Sequence, residues 1–422
     1  ELNAIPKKEL FRAVPCDVCV LDDGTAFIEI MRRLSVDNSV SKIERLAETV
    51  SGIANIVFRL GNNPVSALVD HLPQKIALDL YKDIPVKEPD VTHGSKYEYI
   101  LNAGSEKPIA PDRIGRNPLT ITYGNYCRGK CVFCSIRQSR RIPTPSAQET
   151  LQIIKENVHK YDSINFDSAD FLFDLPQVRK LLNLLKHSQF SAIPKKATAR
   201  VDSIADERIL VDMFEADFKL IGFGIESFVT EILTHLNKGT ESHDNIKALE
   251  MALAAGIKPG VNLILFTPWD TLETTMLTII KTLDFIERGA YANVVMKMKI
   301  GYGLPIADYE DIVEYRTYNV PGRTVKMKFP YAGKILDDKL RSLIPRIISR
   351  ARTEEAQYAG KSSLTVSLYS LLVFKAFFGV YKEEYGDAFG NISKESSRIK
   401  DLIMRTTASA DNGLDTGLVS LL

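Results

Sequence analysis

Between residues 119 and 300, short apolar runs alternate with stretches in which apolar residues recur every three or four positions. The first pattern predicts buried strands and the second predicts helices with one apolar face. The predicted strands are 119–123, 163–167, 197–201, 219–225, 261–266 and 292–298. The predicted helices are 146–158, 176–187, 206–216, 245–255 and 271–288. Such alternation places parallel strands in one sheet with helices outside, so we predict an α/β fold.

The segments on either side of this core have other patterns. Upstream, short apolar runs predict a smaller α/β region with strands at 17–21 and 53–59 and helices at 27–34 and 43–50. Prolines interrupt residues 85–118, which we interpret as a linker. Downstream, we expect an irregular cover over 301–334 and then a mainly helical region over 335–405. We therefore predict three parts, namely an N-terminal α/β region, a core and a mainly helical C-terminal cap, at 1–110, 111–300 and 301–422.

Composition narrows the class of protein. The chain has 422 residues, 45% of them hydrophobic and 25% charged, as in an ordinary globular protein. Its formal net charge of +1 provides no overall basic field, so a nucleic-acid partner is not expected. The longest apolar stretch, 364–381, is interrupted by Lys375 and by serines, so we predict a buried helix and no transmembrane span. Five cysteines with no disulfide-rich pattern favour a reducing compartment, the cytoplasm.

Three of those cysteines form the clearest chemical motif. Cys127, Cys131 and Cys134 stand at the spacing C-x3-C-x2-C just after the first predicted strand of the core. Clustered thiolates are soft ligands that suit zinc or an iron–sulfur cluster. A structural zinc site needs a fourth Cys or His at matching spacing, and none lies close in the sequence. Three ligands would instead leave one iron of a [4Fe–4S] cluster open.

This motif resembles the cluster loop of the radical S-adenosylmethionine (SAM) superfamily. The resemblance implies a partial (β/α)6 barrel in which Cys127, Cys131 and Cys134 hold a [4Fe–4S] cluster, and SAM binds the open iron. It also places Phe133 near the adenine of SAM. In this superfamily, an electron donor such as flavodoxin or ferredoxin reduces the cluster. Reductive cleavage of SAM then yields a 5′-deoxyadenosyl radical that abstracts hydrogen from an unactivated carbon.

Polar residues at the ends of the predicted strands are candidate cofactor ligands, because active sites of parallel sheets lie at the carboxyl ends of the strands. Asp167 and Asp170 follow the second strand of the core, and Arg200 and Asp202 follow the third. An arginine fork can bind both oxygens of a carboxylate. The structural alternative for the three aspartates is helix capping, and for Arg200 an ion pair.

The fourth strand of the core ends in a sequence that strengthens the resemblance. Residues 222–227 read Gly-Phe-Gly-Ile-Glu-Ser, like the signature of the branch that includes the methylthiotransferase and cobalamin groups. The resemblance makes Glu226 and Ser227 cofactor-binding residues, with Glu226 accepting hydrogen bonds from the ribose hydroxyls or the ammonium group of SAM. The run Leu236-Asn-Lys-Gly downstream is also similar to this branch, as is the 266–271 turn.

A second resemblance concerns the N-terminal region. Residues 16–73 look like the later half of the cobalamin-binding domain that precedes the cluster loop in one radical SAM class. The turn at 22–25 departs from the glycine- and glutamate-rich pattern, and no complete D-x-H-x-x-G motif is present. Cobalamin therefore stays an open third cofactor beside the cluster and SAM. The nearby Cys16 and Cys19 face opposite sides of a strand, which favours two core thiols over a redox pair.

These resemblances imply an enzyme that methylates, rearranges or cyclises a small molecule or peptide at an unactivated carbon, in specialised metabolism. One alternative is a methylthiotransferase-like enzyme acting on RNA or protein, which would need a second three-cysteine set upstream. Another is a non-catalytic iron–sulfur or zinc scaffold, which would not explain the polar residues at the strand ends.

Overall fold

The structure is a computed structural model that describes the backbone of 18–20, 56–60, 63–67, 118–134, 136, 143–204, 206–298, 300, 304–319, 326–358, 366–387 and 392–411. The chain divides into two compact units. The first comprises residues 1–93, 133–141 and 299–332, and the second comprises 94–132, 142–298 and 333–422.

The core of the second unit is a six-stranded parallel sheet in the order β4-β5-β6-β7-β8-β9. Its strands are β4 (Pro118–Thr122), β5 (Ser163–Asp167), β6 (Lys195–Ala199), β7 (Phe218–Glu226), β8 (Lys258–Ile264) and β9 (Tyr291–Val295). Strand order equals chain order, so each crossover moves one position along the sheet. The predicted α/β fold and partial (β/α)6 barrel are thereby confirmed.

Among the described residues, six α-helices connect these strands. They are α1 (Ala147–Asn157), α2 (Leu175–Lys186), α3 (Glu207–Glu215), α4 (Thr230–His235), α5 (Ser242–Ala254) and α6 (Leu272–Glu287). Side chains cap the N-termini of several of these helices. Ser146 and Glu149 form a capping box at α1, and Asp206 caps α3. Helix α4 is an addition to the predicted set, since its six residues are too short for a periodic signal.

The two faces of the sheet differ in polarity. On β4 and β6, buried and more exposed positions alternate. The buried positions, among them Ile121, Phe166 and Val261, join the helices in one hydrophobic core. The opposite face carries Thr120, Asn165 and other half-buried or exposed polar side chains. This alternation follows from the two-residue period of a strand and leaves a polar inner wall.

The described residues of the second unit also form three further helices, α7 (Asp338–Ala356), α8 (Val366–Tyr385) and α9 (Ile392–Asp411). The apolar α8 lies between α7 and α9 and packs against β9 at the edge of the sheet. The Ser370 hydroxyl donates to the Ala292 carbonyl at 3.0 Å. The predicted helical C-terminal region is confirmed. In the described part of the chain, no helix is both long and apolar enough to cross a membrane.

The described residues of the first unit form two small sheets. Strands β1 (Val18–Val20), β2 (Ile56–Leu60) and β3 (Asn63–Ala67) pair antiparallel. Strands β10 (Val313–Asn319) and β11 (Lys326–Gly333) form the second sheet, where we expected an irregular cover. The prolines at 321 and 330 led to that expectation. Position 321 falls between the two strands, and Pro330 lies within β11. A strand at the edge of a sheet tolerates proline, because the N–H that proline lacks is not needed for pairing on the open side.

Some predictions fall on residues that the structure does not describe. They are the helices at 27–34 and 43–50, most of the linker at 85–118, and the side chains of Cys16 and Cys19. The predicted part boundaries at 110 and 300 also stay predictions.

Candidate active site at the carboxyl ends of the strands

The cysteine loop leaves the sheet at the end of β4. Gly124 begins it with φ of +83°, a conformation that glycine adopts without strain. The Tyr123 amide donates to the Asp167 carbonyl at 2.7 Å, which continues the β4–β5 pairing by one residue. Tyr126 stacks on Phe173 with ring centroids 5.5 Å apart, and Arg128 donates to the Phe173 carbonyl at 2.8 Å. The first half of the loop is thus anchored to the segment after β5.

The second half of the loop is anchored to the end of α4. The Val132 amide donates to the Leu236 carbonyl at 3.1 Å, and the Asn237 side chain donates to the Lys130 carbonyl at 3.1 Å. Cys131 lies between these contacts and is buried, while Cys127 is half-buried. Two elements that are distant in sequence therefore set the position of Cys131.

Arg200 joins the loop to the sheet. Its Nε and Nη2 donate to the two carboxylate oxygens of Asp202 at 2.7 and 2.8 Å. Nη2 also donates to the Lys238 carbonyl at 2.8 Å, and Nη1 donates to the Cys131 Sγ at 3.8 Å. Burial by itself would lower the pKa of Arg200, but the hydrogen bonds to Asp202 and the charge of Asp202 raise it. The guanidinium is therefore a fixed positive charge beside a thiol.

Gly129 makes this approach possible. A side chain at this position would collide with Nη1 of Arg200 and would lie 3.3 Å from the Cys127 Sγ. The Gly129 amide also donates to the Cys127 Sγ at 3.3 Å. Cys127 and Cys131 are thereby held on either side of Gly129, close to one arginine.

Glu226 and Lys238 form a buried ion pair of 2.9 Å at the end of β7. A register irregularity follows Gly224, and Glu226 adopts φ of +61°, so the carboxylate turns toward Lys238. A Cβ at Gly224 would lie 2.7 Å from the Lys238 Nζ and 2.8 Å from the Glu226 Oε1, so a side chain there would displace the pair. Burial would lower the pKa of Lys238, but Glu226 and Cys131 raise it. Sequence reasoning missed Lys238 as a site residue, although the Leu-Asn-Lys-Gly run had drawn attention to it.

The other predicted cofactor ligands of this unit, Asp167, Asp170 and Ser227, differ in exposure and in their hydrogen-bond partners. The Asp167 side chain is exposed at the end of β5. Asp170 is buried and accepts hydrogen bonds from the Ser203 hydroxyl and the Arg200 amide, and burial raises its pKa. The Ser227 hydroxyl contacts Thr278 of α6 at 3.1 Å and accepts from the Val229 amide. Asp170 and Ser227 are thus engaged within the protein, and their contact with a cofactor stays a prediction.

Phe133 and Cys134 belong to the first unit, and both are half-buried. The predicted position of Phe133 beside an adenine, and the predicted convergence of Cys134 with the other two cysteines, stay predictions. Within the described part of the chain, no three His, Cys, Asp or Glu side chains are grouped as a metal site. Cys127 and Cys131 are free thiols.

The residues of the second unit fit an iron–sulfur cluster in their chemistry. Cysteine sulfur atoms are the ligands that such clusters require, and nearby cations complement the negative charge of a bound cluster. Cys131 interacts with two buried cations, Arg200 and Lys238, and Cys127 interacts with Arg200. Outer contacts of this kind orient metal ligands and tune the metal.

The inner wall of the sheet supplies a polar surface beside this site. A Cβ added at Gly222 would lie 3.2 Å from the Tyr291 hydroxyl, 3.4 Å from the Asn262 Nδ2 and 3.5 Å from the Thr198 Oγ1. Three strands therefore direct hydrogen-bonding atoms at the space over one glycine. Asn293 donates to the Asn262 Oδ1 at 3.2 Å and extends this polar surface to β9.

The turn after β8 contains a buried carboxyl group. Asp270 accepts hydrogen bonds from the Thr267 amide at 2.8 Å and from the Thr274 hydroxyl at 3.0 Å. Burial raises the pKa of Asp270 to about 6 despite these bonds. Asp270 therefore closes the turn that leads into α6, and its contacts are all internal to that turn.

Comparisons with known proteins agree with the fold described above. Residues 121–279 match the family model described as Radical SAM superfamily. The fold is similar to the cobalamin-dependent S-adenosylmethionine radical enzyme OxsB, solved with aqua-cobalamin and S-adenosylmethionine bound. That match has a TM-score of 0.55 and 13% identity, and it covers 98% of this chain and 70% of OxsB.

The fold is also similar to the radical S-adenosylmethionine methyltransferase TsrM from Kitasatospora setae, solved with tryptophan substrate and a SAM analogue bound. That match has a TM-score of 0.57 and 12% identity, and it covers 97% of this chain and 80% of TsrM. At these identities the likeness concerns the fold. No curated protein sequence matches this chain.

Proposed function

We propose that this chain is a radical SAM enzyme that functionalises an unactivated carbon of a small molecule or peptide, on the premise that its residues 121–279 match the Radical SAM superfamily model. The observation that carries the proposal is the convergence of Cys127 and Cys131 on Arg200 and Lys238 at the carboxyl ends of one parallel sheet. A scaffold protein would not need buried cations beside thiols at this edge.

In this proposal Cys127, Cys131 and Cys134 hold a [4Fe–4S] cluster, and Asp167, Glu226 and Lys238 border the space for SAM. When bound, the cluster supplies the electron that cleaves the carbon–sulfur bond of SAM. Arg200 and Lys238 place positive charge beside the cysteine loop, and the segments after β5 and α4 hold it. The inner wall orients the substrate through hydrogen bonds. A donor such as flavodoxin or ferredoxin would reduce the cluster in the cytoplasm.

The reaction class we favour is methylation, with rearrangement or ring formation as its alternative, in specialised metabolism. The similar fold of TsrM, a methyltransferase, and that of OxsB, a cobalamin-dependent enzyme, support this choice. The polar inner wall around Gly222 favours a substrate that carries hydrogen-bonding groups over a hydrocarbon chain. Cobalamin is the third cofactor of this proposal.

Anaerobic reconstitution with iron and sulfide, followed by reduction in the presence of SAM, tests the proposal. We expect iron and sulfide to bind, and 5′-deoxyadenosine and methionine to form. Cys131→Ala should abolish cluster binding and 5′-deoxyadenosine formation. Cys19→Ala, the control outside the loop, should leave both properties unchanged. Absorbance of the protein incubated with cobalamin separates the cobalamin class from a methylthiotransferase-like enzyme. A chain that binds zinc alone, or that makes no 5′-deoxyadenosine with any candidate substrate, would refute the function.

A further inference from the structure

Arg200 is the point at which three separate parts of the second unit meet. Its guanidinium contacts the cysteine loop at Cys131, the segment after α4 at the Lys238 carbonyl, and its own turn at Asp202. Its side chain is 6% exposed, so these contacts are shielded from water. An arginine in such a position acts on its neighbours as a fixed group.

We propose that Arg200 is a positioning residue for the iron–sulfur cluster, which sets the place of Cys131 and stabilises the charge of the loaded loop. This inference rests on the proposed function, because it assumes that the loop carries the cluster. It replaces the expectation that the Arg200 fork binds a cofactor carboxylate, since Asp202 already occupies both arms of that fork.

The shape of the guanidinium explains why arginine stands here. Its five N–H groups point in fixed directions within one plane, whereas a lysine ammonium is a single point on a flexible stem. Nε, Nη1 and Nη2 each have an acceptor in a different direction. Lysine could supply the charge at this position but could not join the three parts.

The loop itself is shaped for this contact. Gly129 leaves the space that Nη1 occupies, and a methyl group there would displace the guanidinium without removing its charge. Asp202 is 38% exposed and holds the opposite edge of the fork. A substitution at Gly129 therefore moves the charge of Arg200, whereas a substitution of Arg200 itself can remove that charge.

Four variants of the full chain separate a positioning role from a purely structural one. Arg200→Met removes the charge and the contacts, Arg200→Lys restores the charge, and Gly129→Ala displaces the guanidinium. Arg398→Met is the matched control, because Arg398 also binds several carboxylates in the same unit but contacts α6 and α9. The measurements are iron and sulfide per chain after reconstitution, the midpoint potential of the cluster, and the thermal midpoint of the unloaded protein.

For Arg200→Met we expect about tenfold weaker iron retention and a lower midpoint potential, because outer contacts of metal ligands have effects of this size and a lost cation favours the oxidised cluster. Arg200→Lys should recover the potential but not the iron retention, and Gly129→Ala should weaken iron retention. Arg398→Met should change the thermal midpoint alone.

The proposal is overturned if Arg200→Met lowers the thermal midpoint as Arg398→Met does but leaves iron content and potential at wild-type values. If Arg200→Met does not fold, Arg200→Lys and Gly129→Ala decide, and wild-type iron retention in both would overturn the proposal. If the wild-type protein loads a cluster and cleaves SAM, and the variants keep wild-type iron retention and midpoint potential, this inference fails but the proposed function stands. Wild-type protein that binds no iron defeats both.

Discussion

Single residues in this protein show how burial changes the behaviour of charged groups. Arg200, Lys238 and Glu226 are charged, yet each has a partner within hydrogen-bond distance. Asp270 has only neutral donors, so burial raises its pKa to about 6. Paired charges remain charged in the interior, while an unpaired carboxyl group is driven toward its neutral form.

Asp270 should therefore make the protein less stable as the pH rises. A carboxyl whose pKa is raised from 3.8 to about 6 binds more protons in the folded state between these values, so the free energy of unfolding falls across that window. Asp270→Asn should remove this dependence. Between pH 4.5 and 7.5, its stability should rise relative to wild type by about 2 kcal/mol in urea unfolding experiments. Parallel curves for the two proteins would contradict the raised pKa.

A second residue-scale prediction concerns Lys195, which is fully buried at the start of β6. Its ammonium donates to the carbonyls of Phe190, Ser191 and Ile193 at 3.0, 3.1 and 2.7 Å, and burial lowers its pKa to about 8. Lys195→Met should destabilise the protein by about 3 kcal/mol, because it leaves buried carbonyls without donors. Denaturant unfolding measures this loss. The exposed Lys180→Met is the control, and equal stability of the two variants would contradict the assignment.

At the scale of elements, the cysteine loop depends on the segments after β5 and α4. Phe173 contributes a ring beneath Tyr126 and a carbonyl for Arg128, and Leu236 contributes a carbonyl for Val132. Residues 124–134, the continuous described part of this loop, form no helix or strand that could hold it. Its geometry is therefore a property of two other segments, and a substitution there should act on the loop.

Phe173→Ala should loosen the first half of the loop by removing the ring contact while the backbone carbonyl remains. We expect lower iron retention after reconstitution and faster hydrogen exchange of the 124–128 amides, with little change in the thermal midpoint, because Phe173 is only half-buried. Phe214→Ala removes an exposed aromatic ring from α3 and serves as the control. Unchanged exchange in the loop would show that the ring contact does not hold it.

At the scale of the whole molecule, the C-terminal helices belong to the same compact unit as the sheet. The side chains of Phe374, Phe377 and Phe378 on α8 are fully buried and belong to the same hydrophobic core as the strands. The helices therefore close the edge of the sheet at β9 and share its core.

Phe377→Ala tests that shared core. Removing a buried aromatic ring should destabilise the unit by about 3–5 kcal/mol. Since α8 and the sheet share one core, calorimetry should show the whole transition of this unit shifting to lower temperature. Tyr358→Ala, at a half-buried position after α7, should have a smaller effect. Separate melting of the helices ahead of the sheet would contradict a single core.

Much of the site could be predicted because its residues follow strands, and strands were visible as local apolar runs. Arg200, Asp202 and Glu226 were expected at strand ends, and they lie there. Ser227 was also named, yet its hydroxyl contacts Thr278 of α6. It follows Glu226, whose φ of +61° interrupts the strand, so the two-residue period of β7 could not have shown this orientation.

The sequence by itself determined the six strands along the chain, five of the six helices between them and the position of the cysteine motif, because each depends on residues close together along the chain. Only the tertiary structure decided that Arg200 binds Asp202 and the Lys238 carbonyl and contacts Cys131, a thiol 69 positions away in the chain. Those contacts depend on the register of neighbouring strands and on the kink at Glu226. Neither is encoded in any single segment, because each results from packing the whole sheet against its helices.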